Sequence, residues 1–229
     1  MESKKKWGII TYDIPHLKTS EILERCHNAI TKIYLIPFKE RKKRDVLFEH
    51  RPNQFIGPKP QELGDYYGIK SYPFDSLLSD KLVNHPMNIA ISGAGILEED
   101  VVSRFNIINC HPGLIPASRG LDSFKWSILN GLKLGVTMHK IDSNIDLGSI
   151  ISQRITPVFS NDDINTLAIR HYRNEINFLC DQINNCLDIN LEKNLKVRES
   201  NMRMPYKVEQ EMLDNFNLFK EKYKLHYLD

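Results

Sequence analysis

Three polar residues, Asn109, His111 and Asp146, lie beside apolar runs that are typical of buried strands. Acyl transfer to an amine needs a donor that stabilises an oxyanion and a base that moves the amine's proton. It also needs a carboxylate that orients the base or the amine. An amide, an imidazole and a carboxylate supply these functions, and none of them needs a metal ion. The three residue types therefore fit metal-free acyl transfer.

Each of these residues also has a structural interpretation. His111 is compatible with a structural histidine in a turn, Asn109 with a turn cap, and Asp146 with an Asx turn. Cys110 is a nucleophile by residue type, but adjacent strand residues point to opposite faces, so we expect it to face the core. His139 fits a structural strand histidine. Spacing alone leaves both kinds of interpretation open.

Composition limits the class of protein. The chain has 229 residues, of which 41% are hydrophobic and 26% charged, as is usual for a globular protein with one full domain and an appendage. A net charge of +2 provides no field for nucleic acid, so no nucleic-acid partner is predicted. No apolar run has the length of a membrane span or a signal-peptide core. We therefore expect a cytoplasmic protein without a membrane partner.

The hydrophobic pattern predicts alternating strands and helices. Apolar runs at residues 7–11, 33–36, 88–91 and 106–109 are typical of buried strands, and the last of them leads to His111. A helix capped at Thr19 or Ser20 and ending near Ala29 completes a βαβ opening, which implies a parallel sheet. The predicted fold class is therefore α/β, with a doubly wound, mostly parallel sheet.

The chain beyond the sheet divides into a long helix and a polar tail. The helix is predicted from Asp162 or Asp163 to about Leu187. We predict a catalytic core over residues 1–187 and a C-terminal tail over residues 188–229. An amphipathic run at residues 208–223 is either a homodimer contact or a segment that packs on its own core.

Three separated segments resemble the formyltetrahydrofolate-dependent formyltransferases. They are NCHPGLIPASRG at residues 109–120, GVTMH at 135–139 and IDLGSII at 145–151. This family pairs Asn-x-His with a later Asp in an Ile-Asp-x-Gly turn. The resemblance implies a Rossmann-like core, N10-formyltetrahydrofolate as co-substrate, and catalytic roles for Asn109, His111 and Asp146. Gly113 departs from the serine that is common in the family, so no side-chain hydroxyl acts there.

The resemblance also implies where the two ligands bind. The family places the folate pterin beside the loop after the strand at residues 88–91 and beside the loop before the catalytic aspartate. The implied contacts are Gly95, Ile96 and Leu97 with Ser143, Asn144 and Ile145. Tight packing of a strand on a helix is the alternative explanation for the small residues of the first loop.

The acceptor is predicted from a short element at residues 50–52. His50, Arg51 and the following proline resemble a His-Arg-Pro element of the small nucleotide-sugar N-formyltransferases. Arg51 then suits a pyrophosphate through its planar donor fork, and His50 lies beside it. A surface arginine braced by proline is the alternative. Arg119 is either structural or close to the substrate.

These observations together predict an N-formyltransferase. It moves the formyl group of N10-formyltetrahydrofolate to a nucleotide-linked (dTDP or UDP) amino dideoxysugar, for surface polysaccharide. One alternative is a phosphoribosylglycinamide formyltransferase of purine synthesis, although residues 11–16 (TYDIPH) are not its glycine-rich phosphate loop. Another is a non-catalytic folate- or nucleotide-binding protein on the same fold.

Overall fold

The computed structural model describes residues 7–40, 44–51, 53–79, 88–141, 149–185 and 199–225. Helices and strands alternate through its first two thirds, as the hydrophobic pattern predicts. The elements, in chain order, are β1 (Trp7–Tyr12), α1 (Leu17–Cys26), β2 (Ile30–Ile36), α2 (Pro60–Tyr67), β3 (Lys70–Pro73), β4 (Asn88–Ile91), α3 (Glu99–Arg104), β5 (Asn106–His111), α4 (Ser123–Leu129), β6 (Gly135–Lys140), β7 (Ile150–Ile155), α5 (Ile164–Asn185), α6 (Tyr206–Asp214) and α7 (Phe216–Tyr223).

The described strands form one open sheet in the order β3-β2-β1-β4-β5-β6-β7. The first five strands of that order are parallel, while β6 and β7 are antiparallel to their neighbours. Successive strands are added on one side of β1 up to β3 and on its other side from β4 onwards. Because β1, β2, β4 and β5 are parallel, they all end at the same edge of the sheet. Ligands of open α/β sheets bind at this edge. The predicted mostly parallel, Rossmann-like sheet is confirmed.

Helices cover both faces of the sheet. On one face, α1, α2 and α5 pack against β-strand residues such as Ile9, Ile108 and Val136. On the other face, α3 packs against Ile10, Ile107 and their neighbours. Strands covered on both faces read as continuous apolar runs, which is why the sequence pattern identifies them. The doubly wound arrangement is therefore also confirmed.

A third apolar cluster joins the tail to the rest of the molecule. Met204, Met212, Phe216 and Phe219 are buried against Phe124 of α4 and its surroundings. The apolar side of α6 and α7 is thus occupied by the chain's own core. The division at residue 187 and the homodimer contact remain predictions.

The start of α1 differs from the sequence prediction. The helix begins at Leu17, with His16 as the N-cap residue and no side-chain cap, so Thr19 and Ser20 lie inside the first turn. The Thr19 hydroxyl is hydrogen-bonded to Thr11 and Ser92 instead. The long helix α5 spans Ile164–Asn185, close to its predicted bounds. No helix of the described ranges is long and apolar enough to cross a membrane.

Candidate active site

Strand β5 presents Asn109 and His111 on one face, at the edge where the parallel strands end. Residues two apart on a strand share a face, so the intervening Cys110 points the other way, into the core beneath α5. Burial raises the pKa of the Cys110 thiol, and the nearby Glu175 carboxylate adds to this effect. A buried, protonated thiol is a poor nucleophile. The prediction that Cys110 faces the core is confirmed.

His111 is buried and fixed through one ring nitrogen. Its Nε2 lies 3.1 Å from the carbonyl oxygen of Ser118 and 3.1 Å from Oγ of Ser123. A carbonyl can only accept a hydrogen bond, so Nε2 carries the proton. The Ser123 hydroxyl donates to the carbonyl of Gly120 and therefore accepts from His111. In the neutral ring this leaves the basic lone pair on Nδ1.

Asn109 faces His139 across the antiparallel β5–β6 pair. The two residues are cross-strand partners, and Asn109 Nδ2 donates to His139 Nε2 over 3.4 Å. The rings of His111 and His139 are edge to face, with centroids 6.3 Å apart. One amide hydrogen of Asn109 is thus used by His139, while the other is available to a ligand at this half-buried position. The sequence pattern indicates a structural histidine at position 139 and does not reveal this contact.

The turn after His111 is fixed from β6, β7 and α5. The Thr137 hydroxyl donates to the carbonyl of Gly113, and Gln153 Nε2 donates to the carbonyl of Ile115. From α5, His171 Nε2 donates to the carbonyl of Pro112 over 3.2 Å. Three elements therefore hold the turn that follows His111.

The loop at residues 118–122 is held by the tail. Asn201 and this loop exchange backbone hydrogen bonds, from Leu121 N–H to Asn201 and from Asn201 N–H to Arg119. A side chain at Gly120 would collide with the Asn201 backbone, and φ of Gly120 is +83°. The Asp122 carboxylate accepts from Met204 N–H over 3.0 Å. The tail thus supports the loop that binds His111 Nε2.

A second polar group surrounds Glu175 of α5. Its carboxylate accepts from Lys18 Nζ over 2.8 Å and from Arg51 Nη2 over 2.6 Å. Burial alone would raise the pKa of Glu175, but the charges of Arg51 and Lys18 outweigh it and lower that pKa to about 2. Two cations around one carboxylate leave an excess positive charge. The Arg51 side chain is 26% exposed.

The other predicted ligand contacts fall in different environments. Gly95 and Ile96 are exposed after β4, Ile96 at 82%, and Leu97 is half-buried beside them. The ring of His50 stacks on Phe124 at a 7° angle, and its pKa is lowered, first by burial and then by the charge of Arg51.

Arg119 is buried, and its carbonyl accepts from Asn201 N–H. The predicted residues Asp146, Ser143, Asn144 and Ile145 lie outside the described residues. Lys18, Glu175 and His171 were not anticipated. A charged residue among the buried positions of α5 is the one sequence signal that could have identified Glu175.

Comparison with known proteins identifies the family. The family described as formyl transferase matches residues 78–183. Phosphoribosylglycinamide formyltransferase of Bacillus subtilis is 30% identical over 146 residues, which are 62% of this chain and 71% of that protein. dTDP-4-amino-4,6-dideoxyglucose formyltransferase of Mycobacterium tuberculosis is 41% identical over 63 residues, 28% of this chain and 27% of that protein. The chain therefore belongs to the formyl transferase family of enzymes.

A solved structure shows the same fold. The 4-N formyltransferase from Francisella tularensis aligns with a TM-score of 0.61 at 18% identity, over 92% of this chain and 87% of that one. The chain spans less than half of the length of several curated relatives that it matches.

Proposed function

We propose that this protein is an N-formyltransferase that moves the formyl group of N10-formyltetrahydrofolate to the amine of a nucleotide-linked amino sugar. The observation that carries the proposal is the shared face of Asn109 and His111 at the carboxyl edge of the sheet. That edge is where open α/β sheets bind ligands.

In the proposed reaction the acceptor nitrogen attacks the formyl carbon, and the carbonyl oxygen becomes an oxyanion. Neutral His111 takes the proton that the attacking amine loses, and the amide hydrogen of Asn109 together with the imidazolium so formed stabilises the oxyanion, at a typical scale of about 3 kcal/mol for one donor. Collapse of this tetrahedral intermediate breaks the bond between the formyl carbon and the folate nitrogen. The proton lost by the amine passes through His111 Nδ1 to this leaving nitrogen, since Nε2 is already hydrogen-bonded to Ser118.

Asp146 is the third proposed catalytic residue, and its assignment rests on the sequence alone. Its carboxylate would orient His111 and the incoming ammonium. Gly95, Ile96 and Leu97, with Ser143, Asn144 and Ile145, are proposed to contact the folate. The exposure of Ile96 supports this assignment, because a flat aromatic ligand would bury it. Bringing both substrates into one cleft supplies much of the acceleration.

The proposed acceptor is a dTDP- or UDP-linked amino dideoxysugar, used for surface polysaccharide. Arg51, anchored by Glu175 and partly exposed, is proposed to bind the pyrophosphate. His50 and Arg119 are proposed as further substrate contacts. The excess positive charge around Glu175 favours such a dianion. The local identity to the dTDP-4-amino-4,6-dideoxyglucose enzyme supports this acceptor.

A second candidate is formylation of glycinamide ribonucleotide. It is favoured by the longer alignment with the B. subtilis phosphoribosylglycinamide enzyme. The residues after β1 do not favour it, because they lack a glycine-rich phosphate loop.

The two candidates are separated by a turnover assay. The protein is incubated with 10-formyltetrahydrofolate and either a panel of nucleotide amino sugars or glycinamide ribonucleotide, and products are weighed by mass spectrometry. A formyl mass gain on a nucleotide amino sugar, with a higher kcat/KM than for glycinamide ribonucleotide, is expected. A higher kcat/KM for glycinamide ribonucleotide would overturn the sugar assignment and leave the formyl transfer intact.

A further inference from the structure

Four rings cluster where β1 and β2 end. Tyr12 is the last residue of β1, and its ring meets that of Phe38 edge to face at 5.3 Å. Phe38 and Phe55 are also 5.3 Å apart, and the rings of His16 and Phe55 are 6.1 Å apart. Phe55 is 49% exposed, so this ring cluster (Tyr12, His16, Phe38 and Phe55) opens to solvent.

The ring cluster adjoins the cations around Glu175. Gln54 Nε2 donates to His16 Nε2 over 3.2 Å, and Leu17 N–H donates to the Gln54 carbonyl. His16 and Lys18 are close in the first turn of α1, and Arg51 is near enough to lower the pKa of His16. The exposed ring of Phe55, together with the net positive charge of the neighbouring Lys18, Arg51 and Glu175, fits a ligand that is aromatic and anionic at once.

The sheet sets how far this surface is from His111. In the strand order, β2 is three strands from β5, which is a lateral distance of about 14 Å at the usual strand spacing. All of these strands end at the same edge. A sugar, two phosphates, a ribose and a base joined in series reach across such a distance, with the amine at one end and the base at the other.

We propose that the ring cluster is the nucleobase subsite of the acceptor, with Phe55 and Phe38 stacking on the base and Arg51 binding the adjoining diphosphate. The proposal rests on the proposed function, because it assigns the base of the nucleotide-linked sugar. Stacking between a base and an aromatic side chain is favourable for every base. The exposed edge of Phe55 is the part of the cluster that a base would cover.

The alternative aromatic ligand is the pteridine of the folate. The charge argues against it at this position. The pteridine is an uncharged ring, whereas a nucleotide carries its phosphates next to the ribose and so places negative charge beside Arg51 and Lys18. Both ligands therefore belong in the test.

The experiment is titration calorimetry of the full chain with dTDP, UDP, inorganic pyrophosphate and tetrahydrofolate. Phe55→Ala should weaken dTDP or UDP binding about 10-fold or more, the scale for loss of one stacked ring. Phe55→Trp should restore most of that loss. Pyrophosphate and tetrahydrofolate affinities should not change. Phe38→Ala serves as a second variant, and Ile56→Ala is the matched control because Ile56 is equally exposed, at 47%, and outside the ring contacts.

Three results would overturn the inference. If neither nucleotide binds the unaltered protein, the acceptor assignment fails and the inference fails with it. If a nucleotide binds and Phe55→Ala and Phe38→Ala leave its affinity unchanged, the inference alone fails and the acceptor stands. If the variants weaken tetrahydrofolate binding and leave the nucleotide unaffected, the ring cluster is a pteridine site.

Discussion

Lys125 of α4 and Glu209 of α6 form an ion pair that is almost completely removed from solvent, with side chains 3% and 0% exposed. The second oxygen of Glu209 accepts from Leu47 N–H over 2.6 Å. One buried carboxylate therefore ties the tail to α4 and to the segment that leads to His50 and Arg51. Removing either member of this pair is costly, because the remaining charge stays buried without a counter-charge and without water.

Removal of one member of this pair should destabilise the protein strongly. Glu209→Ala leaves the Lys125 ammonium buried without a counter-charge, and a loss of about 3–5 kcal/mol in the free energy of unfolding is expected. Urea denaturation followed by circular dichroism measures it. Replacing both residues, Lys125→Met with Glu209→Leu, should recover most of the loss. Asp181→Ala breaks a much more exposed pair with Arg154 and should cost no more than about 1 kcal/mol.

Asn109 and His111 should be needed for turnover and not for folding. Asn109→Ala and His111→Asn are each expected to lower kcat at least ~100-fold, the usual scale for an oxyanion donor and for acid–base catalysis. Formyl transfer to a nucleotide amino sugar is the assay, with near-UV circular dichroism as the folding check. Asn106→Ala, at the opposite end of the same strand, is the control and should stay near the native rate. A folded His111→Asn variant with native turnover would remove His111 from the mechanism.

His139 should act through Asn109. His139→Gln is expected to lower kcat about tenfold, because the loss of one hydrogen bond of about 1 kcal/mol lets the Asn109 amide rotate. In the Asn109→Ala background the same change should have little further effect. This double-mutant cycle isolates the coupling between the two residues. If the two substitutions raise the activation free energy additively, His139 works independently of Asn109.

Buried histidines should make stability depend on pH. Burial lowers the pKa of His171 to about 4, and burial with the charges of Lys18 and Arg51 lowers that of His16 to about 3. The folded protein keeps both rings neutral, whereas the unfolded chain takes up protons below about pH 6.5. The free energy of unfolding should therefore keep the full contribution of the two neutral rings above pH 6.5. It should decrease as the pH drops towards 4, by up to about 1.4 kcal/mol per pH unit for each ring.

Urea midpoints between pH 7 and pH 4.5 measure this dependence. His171→Phe should flatten the slope, since it removes one titrating ring while filling the same space beside Phe124. An unchanged slope in His171→Phe would show that His171 contributes nothing to the pH dependence.

The sheet, and the face on which each β5 side chain lies, could be predicted from the sequence because both depend on local pattern. Apolar runs identify strands, and alternation places Asn109 and His111 on one face with Cys110 on the other. The start of α1 was predicted wrongly, because the Thr19 hydroxyl is engaged by Thr11 and Ser92, residues that lie far apart in sequence.

The missed parts of the site depend on long-range contacts. His139 meets Asn109 only through the register of β5 and β6, which apolar pattern does not specify. Glu175 meets Lys18 and Arg51 across sequence separations of 157 and 124 residues. Residue types and strand faces follow from local sequence, whereas partners at such sequence separations are set only by the folded chain.

The contact between the tail and the loop at residues 118–122 has a consequence for synthesis on the ribosome. Strands β1 to β5 are translated early, and the parallel part of the sheet can pair while translation continues. Asn201 and Met204, which hydrogen-bond to Arg119, Leu121 and Asp122, emerge later than everything else that supports His111. A nascent chain therefore carries the reactive residues well before it can hold them in place, and formyl transfer should begin only after the tail has docked.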